Sequence, residues 1–261
     1  MNFVPFRAGG MLAWALASAL ALVGGPHAAQ AATVQAAVAA NLMPAMPALS
    51  GAFTRDTGHA LRVSAGATGK LYAQIRSGAP FEVLLAADEE TPARLVGDGL
   101  AAAPSRFSYA TGRLVLWSAR PGLVDGQGEV LRTGSFKHIA IAAPKLAPYG
   151  AAAMDVLTRL GLLAGIQPRI VQAESIGQAY GFVATGNAEL GFVALSQVTS
   201  PGREASGSMW QVPAHLHRPL RHDAVLLAPG RGNPSASAFL AWLRSEPARA
   251  ILRAHGYEVP S

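Results

Sequence analysis

Four places in this 261-residue chain combine small residues with a hydroxyl, amide or phenol directly after an apolar run. Asn41, Thr68 and Ser175 are of types that often cap the N-terminus of a helix. Ser175 and Gln178 also have the spacing of a capping box. The free backbone N–H groups and the positive dipole end of such helix starts attract anions. Neutral donors at an anion site are therefore predicted at Ala40-Asn41, Gly66-Ala67-Thr68-Gly69, Pro148-Tyr149-Gly150 and Ser175-Ile176-Gly177-Gln178.

The four junctions require strands that end at a common edge of a sheet. Short apolar runs of the kind found in parallel strands buried on both faces occur at residues 34–39, 61–64, 81–87, 114–118, 138–142, 169–173 and 190–194. Amphipathic helical segments follow several of them, and two helices are predicted at 235–244 and 247–255. Alternating strands and helices indicate an α/β fold, in which ligands bind beyond the carboxyl ends of the strands.

The N-terminus has the pattern of a secretory signal. Arg7 precedes an apolar run over residues 11–23, and Ala29-Gln30-Ala31 supplies the small residues that a signal peptidase recognises. The run is shorter than the roughly 20 residues of a membrane span. We therefore predict a signal peptide at 1–31, a mature chain from Ala32 and a periplasmic location, with a retained membrane anchor as the alternative.

Composition restricts the class of the mature protein. The chain has no cysteine, which excludes disulfides and thiolate chemistry, and 51% hydrophobic residues are enough to build cores. About 230 mature residues suit two lobes. The net charge of +6 comes from scattered basic residues rather than from a dense stripe, so no nucleic-acid partner is predicted.

Two clusters could carry metal or acid–base chemistry. Asp88-Glu89-Glu90 follows a predicted strand, where acidic residues also favour the start of a helix. His215 and His217 have the H-x-H spacing of zinc ligands, and Asp223 lies nearby, so an exported metal-dependent hydrolase is an alternative. No G-x-S-x-G elbow or comparable nucleophile–base spacing occurs in the sequence. We predict a protein without catalytic activity.

In their order along the chain, a set of motifs resembles the periplasmic molybdate-binding proteins of ABC importers, the ModA family. The resemblance covers nearly the whole mature chain. The motifs are Val38-Ala39-Ala40-Asn41-Leu42, Gly66-Ala67-Thr68-Gly69 with Tyr72-Ala73-Gln74-Ile75, Gly78-Ala79-Pro80 leading to Ala87-Asp88-Glu89, Gly112-Arg113-Leu114-Val115-Leu116-Trp117, Ala147-Pro148-Tyr149-Gly150, Ser175-Ile176-Gly177-Gln178 and Leu190-Gly191-Phe192-Val193.

The resemblance implies a two-lobed periplasmic binding protein fold of type II, in which each lobe is a mostly parallel sheet flanked by helices. Residues 32–111 plus 223–261 would form lobe 1 and residues 112–222 lobe 2, with the ligand in the interlobe cleft. The expected protein is a monomer without a cofactor. It would capture molybdate, and tungstate as well, and deliver the anion to a membrane permease.

Carried over by position from the family, the ligand-binding residues are Ala40, Asn41, Thr68, Tyr149 and Ile176. Thr68 stands where a Ser usually offers both its hydroxyl and its amide, and Ile176 where a backbone N–H is used. Some relatives have a Tyr where this chain has Ala194, and Tyr149 would supply the phenol instead. Ala40 lacks the hydroxyl of the Thr found in some relatives.

Neutral donors around a dianion also restrict which anion binds. A cage without acceptors should reject anions that keep a proton at pH 7, such as hydrogen phosphate, because that proton would find no partner. Molybdate, tungstate and sulfate all meet this condition, and cavity size must discriminate among them. A receptor for sulfate, thiosulfate or another tetrahedral oxyanion is therefore the alternative within the same class.

Overall fold

The computed structural model describes residues 1–3, 32–199, 201–202 and 206–260, so the predicted signal sequence lies almost wholly outside the described residues. Strands are β1 Thr33–Ala39, β2 Ala60–Gly66, β3 Val83–Leu85, β4 Phe107–Thr111, β5 Leu114–Ser118, β6 Ile139–Ala142, β7 Ile170–Ala173, β8 Leu190–Ala194, β9 Ser208–Gln211 and β10 Arg221–Leu226. Helices are α1 Met46–Thr57, α2 Thr68–Arg76, α3 Glu90–Gly97, α4 Val130–Thr133, α5 Pro148–Arg159, α6 Leu163–Ile166, α7 Ile176–Ala184, α8 Leu195–Val198, α9 Pro234–Trp242 and α10 Glu246–Ala254.

The strands of the described residues form two five-stranded sheets on the same plan. The first sheet has the order β2-β1-β3-β10-β4 and the second the order β7-β6-β8-β5-β9. In each sheet three strands run parallel, and the fourth is antiparallel to both of its neighbours. Four of five strands therefore point the same way, which confirms the predicted pair of mostly parallel sheets in an α/β fold.

The chain passes twice between the sheets. The first passage is the two-residue link 112–113 between β4 and β5, and the second is residues 212–220 between β9 and β10. Each passage leads directly into the antiparallel strand of the sheet that it reaches. This strand is β5 in the second sheet and β10 in the first. The second passage ends where β10 begins at Arg221.

Apolar side chains cover both faces of each sheet. Helices α1, α9 and α10 pack together on one face of the first sheet. There the ring centroid of Phe53 lies 5.1 Å from that of Phe239 and 5.6 Å from that of Trp242. In the second sheet every residue of β8 is buried. Full burial of a leucine, valine or phenylalanine side chain such as those of β8 stabilises the fold by about 1.5–3 kcal/mol. In the described residues no single helix is long and apolar enough to cross a membrane.

The structure corrects the predicted helix starts in two places. A short 3-10 turn, Ala40–Leu42, follows β1, and α1 begins only at Met46, so Asn41 is not an N-cap. Pro47 consequently lies in the first turn of α1, where a missing N–H is harmless, and it does not kink the helix. Thr68 is the first residue of α2 rather than its N-cap, which is Ala67.

Candidate binding site between the two sheets

Strand register brings the predicted junctions together. Ala39 at the end of β1 pairs with Gly66 at the end of β2, so residues 40–41 and 67–68 leave the first sheet side by side. In the second sheet Ala142 pairs with Ala173, which places the segments leading to α5 and α7 at one edge. Because strands end here in both sheets, the helix starts of both face the same space.

That space is a small cavity with a volume of about 10 Å³. All five site residues predicted from the sequence line it, together with other small residues, and all five are buried. The complete lining is Ala39, Ala40, Asn41, Gly66, Ala67, Thr68, Ala87, Ala147, Pro148, Tyr149 and Ile176. No charged side chain belongs to this lining, as far as the described residues define it.

The Thr68 hydroxyl is held in place by the neighbouring strand end. The backbone N–H of Ala87, just beyond β3, donates to Thr68 Oγ1 over 3.1 Å. An accepted hydrogen bond uses a lone pair of the hydroxyl and leaves its own hydrogen available to donate. Thr68 can therefore offer both a hydroxyl and a first-turn N–H group to a ligand in the cavity.

Asn41 belongs to a buried polar network that joins the two sheets. Its Nδ2 donates to Tyr257 Oη over 2.9 Å, and its carbonyl oxygen accepts from both Tyr257 Oη and Ser196 Oγ at 2.8 Å. Asn41 Oδ1 is buried without a hydrogen-bond partner in the described residues. A half-turn of the amide would place the NH₂ group at the unpaired position and Oδ1 against Tyr257 Oη. The single hydrogen of Tyr257 would then point to Oδ1, while Ser196 Oγ still donates to the Asn41 carbonyl.

The Tyr149 hydroxyl is buried and has no partner within the described part of the chain. Burial raises the pKa of this phenol well above its usual value, so the group keeps its proton and is a donor at neutral pH. Tyr149 is the second residue of α5, on the second sheet, and its Oη lies against Gly112 in the first passage between the sheets.

Direct contacts join the two edges of the cleft, which is the arrangement expected of a closed form. The N–H of Gly69 in α2 donates to the Leu146 carbonyl of the second sheet over 2.8 Å. At the cleft edge, Lys70 Nζ lies 3.2 Å from Glu174 Oε2. A Cβ on Gly69 would stand 3.0 Å from Leu146 O, so a larger residue would require the facing backbone to move by a few tenths of an ångström.

The alternative metal site has no geometric support. Asp223 accepts hydrogen bonds from Arg106 Nε at 2.7 Å and Ser108 Oγ at 2.5 Å within the first sheet. His217 Nδ1 lies 2.6 Å from the Arg218 carbonyl oxygen. Among the described residues no three His, Cys, Asp or Glu side chains are grouped as metal ligands. Asp88 accepts from the N–H and the hydroxyl of Thr91 and so stabilises the start of α3.

Sequence reasoning missed the residues that support the site from behind. Ser196 and Tyr257 hold Asn41, while Gly112 and His222 lie beside the Tyr149 hydroxyl. These residues come from four distant segments of the chain, and of the four only Gly112 lies in one of the family motifs. His222 lies between Arg221 and Asp223 at the start of β10, so no apolar pattern marks it as buried.

Comparisons with known proteins agree with this architecture. The family model of bacterial extracellular solute-binding proteins matches residues 34–258. The chain is 54% identical over 230 residues to the molybdate-binding protein ModA of Azotobacter vinelandii, covering 88% of this chain and 91% of that one. It is 48% identical to ModA of Rhodobacter capsulatus, covering 92% and 94%. The structure of an Azotobacter vinelandii periplasmic molybdate-binding protein superimposes with a TM-score of 0.85 at 44% identity, covering 87% of this chain and 100% of that one.

A family match over most of the chain, two sheets joined by two passages and a cavity between their strand ends define a solute-binding protein. The chain belongs to the bacterial extracellular solute-binding protein family, and within it to the ModA proteins.

Proposed function

We propose that this protein captures molybdate, and also tungstate, in the cavity between the two sheets and delivers it to the permease of an ABC importer. The observation that carries the proposal is the cavity itself. Its neutral polar groups come from both sheets, and its lining within the described residues contains no charge. The relatives that cover most of this chain are named as molybdate-binding proteins. Their identities to this chain support the same ligand here.

The proposed ligand residues are Ala40, Asn41, Thr68, Tyr149 and Ile176. Thr68 and Tyr149 contribute hydroxyl hydrogens, and Asn41 contributes its amide NH₂ after the half-turn described above. Ala40 and Ile176 contribute backbone N–H groups at the turn after β1 and at the start of α7. Hydrogen bonds from neutral donors to a dianion are charge-assisted, so each is stronger than a bond between neutral groups.

Selection against phosphate follows from the same donor set. Hydrogen phosphate needs an acceptor for its remaining proton, whereas molybdate, tungstate and sulfate do not. Two side-chain oxygens at the cavity have no partner in the described residues, Asn41 Oδ1 and Tyr149 Oη. The half-turn of the amide removes the first, and the second donates its hydrogen to the anion. In that state a bound hydrogen phosphate would bury an unsatisfied O–H group at a cost of about 1–3 kcal/mol.

The rest of the molecule supports capture rather than catalysis. We propose a non-enzymatic monomer, exported to the periplasm by a signal at residues 1–31. Lobe 1 would consist of 32–111 plus 223–261 and lobe 2 of 112–222. Both sheets contribute to one cavity, which supports closure of the two lobes around the anion.

Calorimetric titration with molybdate, tungstate, sulfate and phosphate in parallel tests the proposal. Molybdate and tungstate are expected to bind at micromolar concentrations or tighter, and phosphate far more weakly. Sulfate binding as tightly as molybdate would favour the alternative receptor. Phosphate competing equally with molybdate would contradict a cage of donors. Metal analysis of the purified protein distinguishes this binding protein from the alternative hydrolase. The hydrolase would hold a metal ion at His215, His217 and Asp223.

A further inference from the structure

A buried histidine lies at the hinge between the sheets, beside the proposed ligand site. His222 is the second residue of β10, and its side chain is fully buried. Neither ring nitrogen has a hydrogen-bond partner among the residues that the structure describes. An unpaired buried polar atom is costly, and phenylalanine would fill the same space without that cost. A histidine at this position therefore requires an explanation other than stability.

Three tyrosine rings surround His222. The ring centroids of Tyr109 on β4, Tyr149 on α5 and Tyr257 in the C-terminal segment lie 5.6 to 5.9 Å from its own. Asp223, the next residue on β10, is paired with Arg106 at 2.7 Å. Burial lowers the pKa of His222 to about 3, so the imidazole is neutral at neutral pH. A neutral imidazole has one N–H donor and one acceptor nitrogen.

The imidazole and the Tyr149 hydroxyl converge on one point. A Cβ on Gly112 would lie 2.0 Å from Tyr149 Oη and 2.9 Å from His222 Nε2. Both polar atoms thus occupy the space left by the missing side chain of Gly112. The Gly112 N–H donates to the Leu220 carbonyl over 2.9 Å, which ties the two passages between the sheets together at this point.

We propose that His222 is a positioning residue for the Tyr149 hydroxyl. His222 Nε2 and Tyr149 Oη are neighbours but are not hydrogen-bonded to each other in this structure. When the anion is bound, the imidazole, with its hydrogen on Nε2, donates to Tyr149 Oη, and the phenol directs its own hydrogen to the anion. The proposal rests on the proposed function, since it requires molybdate as the acceptor of the phenol. A phenol that accepts one hydrogen bond donates the next more strongly, because hydrogen bonds in a chain polarise one another.

A double-mutant cycle tests the coupling. Tyr149→Phe removes the phenol, and His222→Phe removes the imidazole donor while keeping an aromatic ring in an aromatic pocket. Each single substitution is expected to weaken molybdate binding about tenfold. The double variant should be weakened about tenfold as well, rather than about 100-fold, because the histidine acts only through the tyrosine. Apo His222→Phe should melt no lower than the wild type.

A matched control is His217→Phe, which changes another buried histidine whose Nδ1 already faces the Arg218 carbonyl oxygen. Its molybdate affinity should equal that of the wild type. Effects of Tyr149→Phe and His222→Phe that multiply in the double variant would overturn the coupling. A wild type that does not bind molybdate would overturn the proposed function, which is a different result.

Nitrogen-15 NMR of the molybdate-bound wild type provides a readout that needs no variant. The signals of His222 should report hydrogen on Nε2 and none on Nδ1. Hydrogen on Nδ1 would overturn the proposal even if His222→Phe does not fold.

Discussion

The two edges that face each other across the cavity share one plan but use their helix starts differently. In the first sheet α2 follows β2, and its N-cap, Ala67, has no side-chain hydrogen bond. In the second sheet α7 follows β7, and its N-cap, Ser175, accepts from the N–H of Gln178 over 3.3 Å. The first helical residue is therefore Thr68 at one edge and Ile176 at the other.

A side chain that caps its own helix is therefore not available to a ligand. Ser175 stabilises α7, and Ile176 beside it can offer only its backbone. Thr68 is held by Ala87 of the neighbouring strand end and keeps a hydrogen to donate. The first edge is thus built around side chains whose orientation the fold sets. The second edge depends on backbone groups and on the Tyr149 hydroxyl.

Asn41→Asp should have the largest effect, because it changes the charge of the first edge at nearly constant shape. A carboxylate next to a dianion costs several kcal/mol, so molybdate affinity should fall by about 1000-fold or more. Calorimetry measures the loss, and Asn187→Asp, at an exposed position, is the matched control. An affinity within tenfold of the wild type would place the anion away from the first edge.

The pH dependence of the free energy of unfolding tests the burial of His222, which lies beside Tyr149 of the second edge. The pKa of His222 is about 3 in the folded protein, against about 6.5 in an unfolded chain. Between these values the unfolded state binds the extra proton, so stability is full above pH 6.5 and falls as the pH drops toward 3. From pH 7 to pH 4 the free energy of unfolding should fall by on the order of 3 kcal/mol more in wild type than in His222→Phe. Denaturant titrations at both pH values measure this, and equal losses in the two proteins would be the contrary result.

Thr68→Val keeps the shape of the first edge and removes its hydroxyl. Loss of a charge-assisted hydrogen bond of about 1.5–3 kcal/mol should weaken molybdate binding roughly 10- to 150-fold. The apo protein should also melt at a lower temperature, because the Ala87 N–H loses its acceptor. Thr68→Ser is the control and should retain both properties. Unchanged affinity in Thr68→Val would mean that the hydroxyl does not contact the ligand.

Ser175→Ala should have the smallest effect on binding and a visible effect on stability. Losing an N-cap costs about 0.5–2 kcal/mol of folding stability. Molybdate affinity should stay within about threefold of the wild type, because the Ser175 hydroxyl serves its own helix. Thermal melting and calorimetry on one preparation measure both. A loss of affinity as large as that of Thr68→Val would remove the distinction between the two edges.

Strands such as β6 and β8 were predictable because all of their residues are buried and their sequences are continuous apolar runs. The strands β4, β9 and β10 were missed because polar residues interrupt their apolar pattern. In β10, Asp223 and His222 lie buried in a central strand, where Arg106 neutralises the first and aromatic rings enclose the second. These contacts are tertiary and leave no periodic signal.

The candidate site was predictable to the extent that it depends on local sequence. Small residues with a polar neighbour after each strand indicated the four junctions, and strand register brings them together. The N-cap roles of Asn41 and Thr68 were wrong, because the chain makes a 3-10 turn after β1 and enters α2 one residue earlier. The supporting contacts of Tyr257 could not be predicted, since 216 residues separate it from Asn41.

Small-angle scattering with and without molybdate tests most directly the claim that the anion is held jointly by both edges. Donors from both sheets can surround the anion only when the cleft is shut, so the ligand should favour the closed state. The wild type should have a smaller radius of gyration at saturating molybdate than the apo protein. Saturable binding with an unchanged radius would contradict it, and would mean that the anion binds to one lobe or to a cleft already closed without it.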